Sequence, residues 1–153
     1  MSYTDPLIYA TLDRSELIAA IPTIPAGRIL DGLIAREALR WDSVPGPTMD
    51  YDGPIVNGPI LVPPGTSRDR IFTVLPPRGI IPWFYFAFQW STTDRDMLHL
   101  MRELELRKVD YQLQHSQAGT LQASVNGWQG VGDTKALAFA RAALLWGCHA
   151  PRP

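Results

Sequence analysis

Arginine, aromatic and hydroxyl side chains are the residues of this chain best suited to bind a ligand. They are Arg68, Arg70, Arg78, Trp83, Tyr85, Trp90, Ser91, Thr92 and, further along the sequence, Trp128. Aromatic rings stack on nucleobases and arginines bind phosphates, so the group could form a nucleotide pocket. The same residue types make up the cores of protein interfaces. Burial of the rings within the fold is a third interpretation, and all three stay open.

Histidine and cysteine give no sign of a catalytic or metal centre. We expect His99 within a helix, His115 at the end of a hairpin and His149 in the tail. Their spacing matches no helical pair of metal ligands. Cys148 could be a nucleophile only with a nearby base, which the adjacent His149 is badly placed to supply. We therefore predict no catalytic residue, no metal and no cofactor.

Length and composition indicate one globular domain, residues 1–153. The chain is 46% hydrophobic and 19% charged, which is typical of a folded protein. A net charge of −1 predicts neither general nucleic-acid binding nor attraction to an anionic membrane. The N-terminal residues do not resemble a signal peptide, and the longest apolar run is too short to span a bilayer. We expect a soluble, cytoplasmic protein.

Hydrophobic spacing predicts three main helices. The first covers about Gly27 to Trp41, with Asp31 on its solvated side. The second follows the hydroxyl-rich segment at 91–93, which can cap it, and ends near Arg107. The third is capped by Asp133 and stopped by Gly147.

Strands are predicted between these helices. Nine of the 14 prolines lie in residues 43–82, a Pro/Gly-rich insertion that permits only short extended runs, at 60–62 and 71–75. An aromatic strand covers residues 83–90, and a hairpin joins 109–115 to 121–125. A supple glycine loop is expected from 127 to 132. The predicted fold class is α/β (α+β), a three-layer α/β/α sandwich with a mainly antiparallel sheet and the insertion along one edge.

The predicted core draws on each of these elements. Its representatives are Leu30, Ile34, Phe86, Met101, Leu121, Ala140 and Leu144.

Three sequence blocks resemble the phage ABA-sandwich proteins, small α/β proteins of tailed phages. Residues 27–35, Gly-Arg-Ile-Leu-Asp-Gly-Leu-Ile-Ala, are similar to the family's first helix start, Gly-Arg-x-Leu-Asp-x-Leu-Val-Ala. Residues 90–94 resemble its aromatic-Ser-Thr-Asp block with one residue inserted, and residues 134–144 resemble its Thr-x-x-x-Ala-x-x-Arg-Ala-x-Leu helix. The insertion departs from the family pattern. The resemblance implies a fold and a phage origin but no reaction.

These features lead to a functional hypothesis, a non-catalytic phage accessory protein in the host cytoplasm. We expect it to act stoichiometrically against host defence, by sequestering a nucleotide-derived immune signal or by capping a host defence protein. A virion or assembly factor and a small phosphoesterase are the alternatives. We expect a homo-oligomer with no membrane partner, and we expect the insertion to carry the binding residues.

Overall fold

The computed structural model describes six stretches of the chain. They are residues 13–49, 55–62, 72–75, 79–82, 89–115 and 119–151. Two compact units result, one formed by residues up to 39 and from 89 onward, the other by residues 40–88. Helices and antiparallel strands are both present, which confirms the α+β class. None of the helices in these stretches has the length and apolarity needed to cross a bilayer.

The described residues of the first unit form four helical elements. They are α1 (Arg14–Ala20), which runs into a 3₁₀ turn (Ile21–Thr23), α2 (Arg28–Leu33), which continues as a π-helical segment (Ile34–Ala38), α3 (Asp94–Leu106) and α4 (Lys135–His149). Thr93 caps α3 by accepting a hydrogen bond from the Asp96 N–H at 3.3 Å. Thr134, rather than Asp133, caps α4 and accepts from the Leu137 N–H at 3.1 Å. The predicted Asp133 cap is wrong by one residue.

Three antiparallel strands complete this unit. They are β5 (Tyr111–His115), β6 (Leu121–Val125) and β7 (Trp128–Gly132), in spatial order β5-β6-β7. The predicted hairpin is confirmed, but the expected supple loop is strand β7. Asn126 (φ 49°) and Gly127 (φ 88°) form the tight turn between β6 and β7, since both adopt the left-handed conformation that such two-residue hairpins require.

Helix α4 covers one face of this sheet. Ala123 and Val125 of β6 are fully buried on that face, and Phe139 meets the Tyr111 ring edge-on at 5.4 Å between centroids. A Cβ atom on Gly130 would collide with the α4 backbone at Ala138 and Ala142. The missing side chain therefore lets the helix lie directly on the strand.

Helix α2 meets α4 at Gly147 through its π-helical continuation, and two predictions fail in this region. Gly147 was expected to end the last helix, yet α4 continues through it to His149 because the glycine lets the backbone of Ala38 approach closely. The first helix was expected to reach Trp41, but regular helix stops at Ala38 and Arg40 has a positive φ of 58°.

The described residues of the second unit form two strand pairs. β1 (Asp42–Met49) pairs with β2 (Ile55–Val62), in a register from Asp42 opposite Val62 to Met49 opposite Ile55. β3 (Phe72–Leu75) pairs with β4 (Gly79–Pro82). The unit spans the predicted insertion. β2 contains the extended run predicted at 60–62, and β3 covers residues 72–75 of the run predicted at 71–75.

Most of the predicted core is confirmed. Leu30, Ile34, Ala140 and Leu144 are fully buried, and Met101 is 6% exposed. Leu121 is only half-buried, since it lies at the end of β6. Phe86 lies outside the described residues.

Candidate functional site

A buried polar clasp joins the start of α2 to the turn before α3. The Ser91 hydroxyl accepts a hydrogen bond from the Gly27 N–H at 2.8 Å and donates to the Gly27 carbonyl at 3.2 Å. The Ser91 N–H donates to Asp31 Oδ1 at 2.8 Å. Gly27 has a φ of 147°, which side-chain-bearing residues rarely adopt. We call Gly27, Asp31 and Ser91 the clasp. The positions of these three residues depend on one another through these hydrogen bonds.

Asp31 is a buried acid with a raised pKa. It was predicted on the solvated side of the helix, but it is 6% exposed. Its Oδ2 atom is buried and has no hydrogen-bond partner within the described part of the chain. Burial raises the pKa of Asp31 from 3.8 to about 7, against the opposing effect of the hydrogen bonding to Ser91. The predicted exposure of Asp31 is wrong because its side chain accepts a hydrogen bond from the Ser91 N–H in the buried turn.

Trp90 and His99 form a second polar contact below that turn. Trp90 is 2% exposed, and its indole N–H donates to His99 Nδ1 at 3.1 Å. An indole nitrogen can only donate, so His99 Nδ1 is unprotonated. Burial lowers the pKa of His99, while Glu103, whose Oε1 lies 3.8 Å from His99 Nε2, acts in the opposite direction. His99 thus positions Trp90, and it lies within a helix as predicted.

The predicted ligand-binding residues near α3 are mostly inside the protein. Trp90 belongs to the turn rather than to the expected strand, and with Ser91 at 0% exposure neither side chain is available to a surface ligand. Thr92 is exposed and its hydroxyl lies 3.4 Å from the Gln89 carbonyl. Burial, one of the three interpretations of the aromatic group, therefore describes Trp90.

Trp128 lies at a separate place, at the start of β7. Its ring is 38% exposed and stacks on the ring of His149, with centroids 3.7 Å apart and an angle of 14° between the planes. Cys148, next in sequence to His149, is 1% exposed. The described contacts do not bring Trp128 together with Trp90, Ser91 or Thr92.

Arg141 connects α4 to two other parts of the unit. Its guanidinium donates to the Ile24 carbonyl at 2.9 Å and to the Val131 carbonyl at 2.7 Å. It therefore covers the outer edge of β7 and fixes the segment just before α2. Arg141 belongs to the third sequence block, and the clasp residues belong to the first two. Residues of all three blocks therefore form hydrogen bonds to or within the segment from Ile24 to Asp31.

The face of the sheet opposite α4 is uncharged and largely exposed. We call it the glutamine face, and its residues are Gln112, Gln114, Gln122, Ser124, Gln129 and Val131. Cross-strand pairing aligns Gln112 with Ser124 and Gln129, and Gln114 with Gln122 and Val131. The Gln114 amide donates to the Gln112 side-chain carbonyl at 3.2 Å, and Val131 is 47% exposed.

Five predicted ligand residues lie outside the described residues, and their role stays a prediction. They are Arg68, Arg70, Arg78, Trp83 and Tyr85.

Sequence reasoning missed the glutamine face, although the alternation of glutamine with Tyr111, Leu113 and Ala123 indicates it. It also missed β7, which the Asn126-Gly127 pair announces. In the described stretches, no cluster of His, Cys, Asp or Glu is suited to hold a metal ion.

Comparison with known proteins adds no relative. No family model, no curated protein and no solved structure matches this chain.

Proposed function

We propose that the protein is a non-catalytic phage accessory protein that acts in the host cytoplasm by capping a host defence protein. The glutamine face is the observation that carries the proposal. It is a largely exposed surface on a sheet whose other face packs against α4. The phage setting rests on the resemblance of residues 27–35, 90–94 and 134–144 to the phage ABA-sandwich proteins.

The composition of the glutamine face suits a protein interface. None of its six residues is charged, in a chain that is 19% charged, and interface cores are depleted of charge in this way. Its amides can donate and accept hydrogen bonds on a flat surface, and Val131 adds apolar area. Since the strands are paired in a sheet, little backbone entropy is lost when a partner binds.

The sandwich architecture forms part of this proposal. The sheet is the middle layer and α4 is one outer layer. The predicted sandwich had helices of this chain on both faces; in the present proposal the bound partner instead supplies the third layer, over the glutamine face.

Sequestration of a nucleotide-derived signal is the second candidate function. The exposed Trp128–His149 stack supports it, because stacked rings form a platform for a nucleobase. The role of Arg68, Arg70 and Arg78 as phosphate ligands stays a separate prediction from the sequence. The two candidates differ in their ligand and use different surfaces, so variants distinguish them.

Adding charge to the glutamine face tests the proposal. We expect Gln129→Lys with Val131→Lys to lower the efficiency of plating of a defence-restricted phage on cells that express the protein by about tenfold or more, because burying each new charge costs over 1 kcal/mol. Both positions are exposed, so the variant should fold.

The matched control adds the same charge elsewhere. Leu98 and Leu106 are 61% and 72% exposed on α3, so Leu98→Lys with Leu106→Lys should retain wild-type plating. Equal plating by the two double variants would refute the glutamine face as the functional surface. Loss in Trp128→Ala alone would favour nucleotide sequestration.

A further inference from the structure

The outer edge of β5 carries unpaired backbone groups. The Asn126 N–H donates to the Asp110 carbonyl at 2.7 Å, which fixes the alternation of hydrogen bonds between β6 and β5. Residues 112 and 114 therefore direct their backbone groups toward β6, and Tyr111 and Leu113 direct theirs outward. Among the described residues nothing pairs with these outward groups. Gln112, Leu113 and Gln114 are all exposed.

This edge lacks the features that protect edge strands. Such strands commonly carry lysine, proline or a bulge, which prevent pairing with another chain. β5 reads Tyr-Gln-Leu-Gln-His, with no Lys, Arg, Asp, Glu or Pro, and its register with β6 is continuous. The opposite edge of the sheet is protected, because Arg141 donates to the outward carbonyl of Val131. Among the described residues, the β5 edge is therefore the one that nothing covers.

We infer that β5 pairs with β5 of a second copy of this chain, antiparallel and about a twofold axis at Leu113. The strand sequence, Tyr-Gln-Leu-Gln-His, has nearly the same order of residue types in both directions. The twofold register therefore pairs residues of the same type. Leu113 lies opposite Leu113 of the second copy, Gln112 opposite Gln114, and Tyr111 opposite His115. An unrelated peptide would have no reason to match this symmetry.

The pairing would give hydrogen-bond partners to the outward backbone groups of β5 and would cover the exposed side chain of Leu113. Residues 111, 113 and 115 of each strand would form about six intermolecular backbone hydrogen bonds. Leu113, 41% exposed in the single chain, would be covered by its symmetry mate beside the pocket that it lines with Leu121, Lys135 and Ala138. The two sheets would join into one of six strands, and the two glutamine faces would become continuous. This inference is independent of the capping proposal.

The first test is the mass of the protein in solution, measured by light scattering on a sizing column. We expect the wild type to have twice the chain mass of 17.0 kDa. Leu113→Lys should give the monomer, because lysines facing each other on the axis repel. Leu106→Lys, the same change at an exposed leucine of α3, should remain dimeric. A monomeric wild type, or a dimer that survives Leu113→Lys, would overturn the inference.

A disulfide test checks the register without destabilising the strand. In the twofold pair residues 112 and 114 are opposite each other at a Cα separation of about 4.5 Å, within the range that a disulfide spans. Mixing Gln112→Cys with Gln114→Cys under mild oxidation should give a crosslinked heterodimer, and each variant alone should give little. The native Cys148 is buried and should not compete. No crosslink on mixing, or equal crosslinking in the unmixed samples, would contradict the register.

Discussion

Replacing Gly147 with alanine is expected to lower the free energy of unfolding by more than about 3 kcal/mol. An added Cβ would lie 2.6 Å from the Ala38 Cα and 2.7 Å from the Ala38 nitrogen. These are backbone atoms and cannot rotate away, so α2 and α4 must separate. The loss should outweigh the gain of about 1 kcal/mol that alanine normally brings inside a helix. Urea denaturation followed by circular dichroism measures the change.

Gly32 provides a matched control for this substitution. It also lies inside a helix, and a Cβ there would meet nothing within 4 Å. Gly32→Ala should therefore be neutral or stabilise the protein by up to about 1 kcal/mol. The same chemical change thus has opposite signs at two helical positions. A Gly147→Ala variant as stable as Gly32→Ala would show that α2 and α4 do not cross at Gly147.

Asp31 should make the stability of the protein fall as the pH rises. Its pKa is about 7 in the folded state against 3.8 for an unperturbed side chain. Between these values the folded state holds a proton that the unfolded state has lost, so stability decreases from about pH 4 to pH 7 and then levels off. The shift corresponds to a loss of up to about 4 kcal/mol.

Asp31→Asn isolates this effect. The asparagine has no titrating proton, and its side-chain oxygen can still accept from the Ser91 N–H. Denaturation at pH 4.5, 6 and 8 should show that the wild type loses stability relative to the variant as the pH rises. Parallel pH profiles for the two proteins would mean that Asp31 is not buried as a titrating carboxyl group in the folded protein.

Local sequence signals predicted α3, α4, β5 and β6 well. The hydrophobic stripes of α3 and α4 and the alternation in β5 and β6 are strong because each depends on neighbouring residues alone. The same signals could not show that Gly147 lies inside a helix, since a glycine at a helix end and a glycine at a helix crossing look alike in sequence. Asp31 misled for a related reason. Its partner, Ser91, is 60 residues away.

The candidate site was harder to predict than the fold. Aromatic and arginine residues attracted attention because their chemistry is distinctive, yet Trp90 proved to be a core residue held by His99. The glutamine face consists of ordinary polar residues, which become a surface only when three strands align them. Only the alternation within each strand was visible in the sequence. Their alignment across strands depends on the turn at Asn126-Gly127.

Native mass spectrometry of the protein purified from defence-active cells tests the capping proposal most directly. We expect the wild type and the Leu98→Lys/Leu106→Lys control to carry a host polypeptide in a fixed ratio. The Gln129→Lys/Val131→Lys variant should be recovered without it. If the wild type instead carries only a small molecule, and the glutamine-face variant retains that molecule, the capping proposal is contradicted and nucleotide sequestration takes its place.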